Sequence, residues 1–149
     1  MEHANRVRFH FLISSFSFQN RNQLKFFVIE LFAKEGFKVE HLNFVFCSDE
    51  FLLLLNKSHL NHDTYTDIIT FPFSNRGEAV LADIYISVER VKENAARFSQ
   101  SFQTELHRVI FHGILHLCGY KDKTHIEKKL MREKESYYLT KYWFHVKRI

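Results

Sequence analysis

Cysteine, proline, glycine and long apolar runs are all scarce in this chain of 149 residues, and each shortage removes a class of protein. The two cysteines, Cys47 and Cys118, have no C-x-x-C spacing, which argues against a disulfide framework and suits reduced thiols in a cytosolic protein. The longest apolar run, Phe51 to Leu55, stops after five residues, far short of the roughly 20 needed to span a bilayer. Residues 1–8 lack the basic-then-apolar layout of a secretory signal. One proline and four glycines against 17 phenylalanines point to regular, aromatic-packed elements with few irregular loops. With 46% hydrophobic and 26% charged residues, the composition is that of a globular protein, and 1–149 is expected to form one domain. The excess of positive charge is modest, +4 with a pI near 9.1; it is compatible with an anionic partner such as nucleic acid without being diagnostic of one. A soluble cytoplasmic enzyme is the expected class.

The apolar pattern predicts an α+β fold in which a single mixed β-sheet packs with helices. Residues 9–18 mix apolar and serine residues and read as a first strand. Residues 22–35 carry Leu24, Phe27, Val28, Leu31 and Phe32 at helical spacing, stopped by Gly36. Leu42, Phe44 and Phe46 alternate in a second strand, and Ser48 offers an N-cap for a short helix to about Leu55. A polar loop with His59, His62 and Asp63 is expected between Asn56 and Thr66. Residues 67–73 and 80–87 read as neighbouring antiparallel strands, with Pro72 near a strand end or on an edge. A helix over 88–98, capped by Ser87, should turn Val91, Ala95 and Phe98 inward. A longer one over 101–118 should bury Leu106, Val109, Ile110, Gly113 and Leu117. Thr124 and Glu127 form a capping box, so a last helix should run from there to about 141.

The chemistry concentrates in His112-x-x-x-His116-x-x-Gly119-x-x-Asp122. Residues four apart share a helix face, so both imidazoles can reach one cation. Gly119 suits a left-handed helix end, after which Asp122 can approach the same metal from a loop. The result is a metal-binding helix followed by a ligand loop, with a coordination position left for solvent or substrate. In a chain with ten histidines the His pair alone has little specificity; the full pattern is specific. His125 is the rival third ligand, but the capping box places it in the next helix. Glu105 lies on the flank of His112 and His116, two turns earlier.

Around this motif the chain resembles the YbeY family of bacterial endoribonucleases. The resembling segments run in order from Leu55-Asn56 through the D-T-Y-T-D-I-I-T-F-P-F of residues 63–73, Ala82-Asp83-Ile84, Glu105-Leu106 and 112–122, to Met131 and Glu135. The resemblance implies an α+β metalloprotein, usually with zinc. It further implies action on single-stranded RNA, in 16S ribosomal RNA 3′ end maturation and ribosome quality control, with ribosomal RNA and the small ribosomal subunit as partners. Three positions depart from the family pattern. Asp122 stands for its third histidine, Leu60 for an arginine and Ala82 for a glycine. Asp is a sound zinc ligand, but its charge lowers that of the site, which predicts a more alkaline optimum or a shift toward harder cations such as manganese. The missing guanidinium could be replaced by His59, His62, Arg76 or Arg108.

The candidate catalytic residues are therefore Asp67, Asp83, Glu105 and Arg108, beside the metal ligands His112, His116 and Asp122. Lys121, Lys123, Lys128, Lys129 and Arg132 could steer an RNA backbone, and Phe71 and Phe73 could stack bases. Two other readings compete. Metallopeptidases with similar histidine spacing place a glutamate general base directly after the first histidine, where this chain has Gly113. A ribosome-associated RNA-binding factor with a structural metal is the other, although closed structural zinc sites usually take four ligands and favour cysteine.

Overall fold

The computed structural model describes residues 5–60 and 65–147. Its elements follow in the order β1 (Val7–Phe11), α1 (Arg21–Lys34), β2 (Val39–Cys47), α2 (Asp49–Leu60), β3 (Ile68–Pro72), β4 (Val80–Ser87), α3 (Val88–Arg97), α4 (Phe102–Leu117) and α5 (His125–Lys147). The strands form one mixed sheet in the order β1-β2-β4-β3. β1 and β4 both run parallel to β2, and β3 runs antiparallel to β4.

Strand alternation divides the sheet into two unlike faces. Leu42, Phe44 and Phe46 of β2 and Ala82, Ile84 and Ile86 of β4 point into the main core, shared with Phe27 and Leu31 of α1, Ile110 and Ile114 of α4, and Tyr142 of α5. The opposite face is covered in part by α2, where buried Leu52 meets Cys47 and Ile69. α4 crosses close to β3 and β4. A Cβ on Gly113 would lie 2.7 Å from Ile68 Cδ1 and 3.2 Å from Ile84 Cδ1, so any larger residue would have to displace these side chains to keep the helix backbone this near the sheet.

Helix ends follow their local chemistry. The Ser87 and Ser101 hydroxyls accept from the amides of Arg90 and Thr104 at the starts of α3 and α4, and Ser48 accepts from Phe51 at the start of α2. Thr124 and Glu127 close the expected capping box, with reciprocal bonds of 3.1 and 2.9 Å.

Some expectations change. The first strand starts at Val7 and ends at Phe11, not Phe18; Phe16 and Phe18 are buried all the same, because an irregular segment packs their rings on Phe46. α2 continues to Leu60, so His59 lies on a helix, and α5 extends past residue 141. Phe98 ends α3 half-exposed, and Leu117 is only partly buried. The Leu60 side chain, His62 and Asp63 lie outside the described residues.

Candidate metal centre

α4 presents His112 and His116 one turn apart, with their Nε2 atoms 3.0 Å from each other. The helix then ends in a left-handed turn. Gly119 takes φ +99°, its amide donates to the His116 carbonyl, and the Tyr120 amide donates to that of Leu115. This turn redirects the chain so that Asp122 Oδ2 sits 3.3 Å from His112 Nε2 and 3.4 Å from His116 Nε2. Tetrahedral zinc with bonds of about 2.0–2.1 Å places its ligand atoms about 3.3 Å apart, so these spacings suit that ion.

The outer ring nitrogens fix what the inner ones offer. His116 Nδ1 faces the Tyr120 carbonyl at 2.9 Å, and since a carbonyl only accepts, Nδ1 carries the proton. His112 Nδ1 bonds Glu135 Oε2 at 2.6 Å, in the carboxylate–histidine pairing that orients metal-binding imidazoles. In the neutral rings both Nε2 atoms then aim lone pairs at the Asp122 carboxylate. Three electron-rich groups converging on one point repel one another unless a cation lies between them, and on this ground the residues fit a divalent metal. Among the described residues His112, His116 and Asp122 are the group of such side chains close enough to hold one. Their side chains are 22–39% exposed, so a fourth position can reach solvent or substrate. Without a cation, burial disfavours charge on His112, but the Glu135 bond and charge outweigh it and raise its pKa.

His112 and Asp122 form part of the wall of a cavity of about 400 Å³. Three of the four catalytic candidates, Asp67, Glu105 and Arg108, line the same cavity. Burial raises the pKa of Asp67 and outweighs the nearby His112 charge; burial and then the Asp67 charge raise that of Glu105. Arg108 donates through Nη1 to Glu135 Oε1 at 3.1 Å. Glu135 thus holds a ligand with one oxygen and an arginine with the other.

The fourth candidate, Asp83, is not brought to this place. It neighbours Ile84, which faces α4, and so points from the opposite face of the sheet, where it accepts from Asn43 Nδ2 at 3.0 Å. His59 sits against Phe71, on that same far face. His125 is exposed and outside the ligand group. Cys118 also stays outside it, its thiol pushed up to about 12 by burial. Of the basic residues, Lys128 and Arg132 line the cavity, whereas Lys121 lines a second one. Gly113 packs against Ile68 and Ile84, and the position directly after the first histidine carries no carboxylate. The anchoring role of the Tyr120 carbonyl and the double role of Glu135 carried no local signal; Glu135 stood out only through the family pattern.

Comparison with known proteins shows the family of the chain. A family model described as Endoribonuclease YbeY matches residues 13–143. A relative named Endoribonuclease YbeY from Cytophaga hutchinsonii is 45% identical over 122 residues, which cover 82% of this chain and 85% of the relative. A relative of the same name from Flavobacterium psychrophilum is 52% identical over 106 residues, 71% of this chain and 74% of the relative. The fold is also similar to the solution structure of TM1509 from Thermotoga maritima, with a TM-score of 0.65 and 29% identity over 95% of this chain and 92% of that one.

Proposed function

The chain belongs to the YbeY endoribonuclease family, and from that footing we propose that it cuts single-stranded RNA with a divalent metal, zinc in the first instance, held by His112, His116 and Asp122. The observation that carries the reading is the convergence of three ligand atoms within 4.8 Å of one another, two of the three residues, His112 and Asp122, lining a cavity together with Asp67, Glu105 and Arg108. When bound, the metal would supply Lewis-acid polarisation of a phosphoryl oxygen.

The remaining work falls to the chain's own residues. Glu135 keeps the His112 imidazole in the tautomer that binds metal. Arg108, fixed by the same carboxylate, retains donors of its planar fork for a phosphate oxygen, and is our choice for the cation that replaces the family arginine at the position of Leu60. Asp67 and Glu105, whose burial favours the protonated form, are placed to hand a proton to the departing ribose oxygen. Asp83, on the other face, is assigned a structural role between strands. We place the activity in the maturation of small-subunit ribosomal RNA and in ribosome quality control, in the cytoplasm, with residues 1–149 acting as one domain. No helix among the described residues is long and apolar enough to cross a membrane.

The test is cleavage of an end-labelled single-stranded RNA by zinc-loaded protein, run beside His116→Ala purified in the same way. Cleavage by the parent and none by the variant is expected. Absent or equal cleavage in both, with salt-dependent RNA binding retained, would favour an RNA-binding factor, the reading that Leu60 in place of the family arginine keeps open.

A further inference from the structure

A second cavity, of about 420 Å³, adjoins the first at the metal centre. It lies between the β3–β4 hairpin and the end of α4, and its lining includes Phe37, Pro72, Arg76, His116, Leu117 and Lys121. His116 thus faces this groove, while His112 and Asp122 face the carboxylate cavity. The ligand group stands on the partition between two concave surfaces, each within the size range of a small-ligand site. A polymer whose scissile phosphate sits at that partition has a concave surface on either side to continue into.

The two sides differ in charge. The first cavity sets Asp67, Glu105, Asp122 and Glu135 against Arg108, Lys128 and Arg132, and the charge of Arg108 is already paired with Glu135. That composition suits proton transfer better than retention of a polyanion. The groove carries Arg76 and Lys121, both exposed and neither in an ion pair with any described residue. Its one carboxylate, Glu78, is occupied by the turn, where it accepts from the Asn75 amide at 2.8 Å. The hairpin tip that holds Arg76 is a built one. The Glu78 amide returns a bond to the Asn75 carbonyl at 3.1 Å, and the Ser74 hydroxyl accepts from the Leu81 amide at 3.0 Å. Phe37, Pro72 and Leu117 provide an apolar wall against which a base can lie.

We infer that this groove is a second nucleotide subsite. It holds the RNA strand on the far side of the metal centre from the carboxylate cavity, with Arg76 and Lys121 on the backbone phosphates and the apolar wall under a base. The inference rests on the RNA-cleaving function proposed above.

The experiment compares the zinc-loaded parent, the double variant Arg76→Ala/Lys121→Ala, and Lys141→Ala as a control for overall charge. Each is assayed for cleavage of single-stranded oligoribonucleotides shortened stepwise from the 5′ or the 3′ end. RNA binding is measured in chelator across a salt series. Loss of two phosphate contacts should raise KM about tenfold and reduce the salt slope of binding by about 1.4, with the Lys141 control unchanged. The KM penalty should vanish on substrates shortened from one end and persist on those shortened from the other. Equal KM and salt slope in parent and double variant, while the parent cleaves, would overturn the subsite and leave the ribonuclease standing. A parent that neither binds nor cleaves would overturn the ribonuclease reading, and the subsite with it.

Discussion

His107 is a buried histidine with no part in the metal centre, and its surroundings make it a source of acid sensitivity. Its Nδ1 donates to the Gln103 carbonyl at 2.7 Å, its ring stacks on Tyr142 at 4.9 Å, and Nε2 is buried without a partner. Burial pushes its pKa down from 6.5 to about 4. Above pH 6.5 both folded and unfolded states hold a neutral ring, and the group adds no pH dependence. As pH falls below that, the unfolded chain binds a proton that the folded protein refuses until about pH 4, so stability declines across this window, by about 2 kcal/mol at pH 5. His107→Phe keeps the ring packing and removes the titration. Urea unfolding should show the variant gaining about 2 kcal/mol on the parent between pH 7.5 and pH 5; a constant difference would contradict the assignment. Asp122 carries the second prediction at this scale. Asp122→His removes an anion from the ligand group, so the pH optimum of cleavage should fall by about one unit and zinc should be preferred more strongly over manganese. An unchanged optimum would show that the charge of the third ligand does not set it. The convergence of His112, His116 and Asp122 was legible in the sequence because its geometry is local: a helix turn, a glycine with positive φ and a three-residue reach. His107 was not, because one histidine on an apolar helix face signals neither burial nor exposure.

Elements supply what residues alone do not, and α5 is the clearest case. Its capping box fixes where the helix starts, and the helix period then sets Met131 and Glu135 against α4, both nearly fully buried. Glu135 is therefore placed by a helix that begins after the ligand loop yet orients a ligand before it. Glu135→Gln keeps the size and removes the charge that holds His112 and Arg108. Zinc affinity measured by competition with a chelator should fall about 10–100-fold, and unchanged affinity would mean that the His112 tautomer is set elsewhere. The glycine stops of α1 and α4 and the caps of α2, α3 and α5 at Ser48, Ser87 and Thr124 were readable, since Ser, Thr and Gly act within a few residues. The segment after β1 was not. Phe16 and Phe18 give the apolar signal of a strand, but they are buried by ring packing on Phe46 and not by ladder bonds, and pattern alone does not distinguish the two. The polar end of α2 misled in the opposite direction: Lys57, Ser58 and His59 face solvent on a helix that continues beneath them. The antiparallel pairing of β3 with β4 was readable from its short connection, but the place of β4 beside β2 had no local signal, because that pairing spans the chain between them.

At the scale of the whole molecule, the core and the candidate metal centre are separate constructions. The core joins the inner sheet face to α1, α4 and α5 through aromatic and branched side chains, whereas the ligands sit half-exposed at the end of α4. Folding therefore should not require the metal, in contrast to small zinc domains whose core is the ion. The protein in excess chelator should remain folded, with a cooperative unfolding transition. Zinc binds only the assembled ligand group, so it should add stability by mass action, about 2.7 kcal/mol at a free concentration 100 times the Kd. For a chain of this size that corresponds to a rise in Tm of about 5–11 °C. His116→Ala should fold to nearly the same Tm as the metal-free parent and show little rise with zinc. Unfolding of the parent in chelator would mean that the ligand loop and α5 dock only around the ion, so that the Glu135–Arg108 and Glu35–Tyr120 contacts on either side of that loop depend on it. A melt of the parent in chelator and in zinc, with His116→Ala alongside, decides between a metal that does chemistry on a finished fold and a metal that completes the fold.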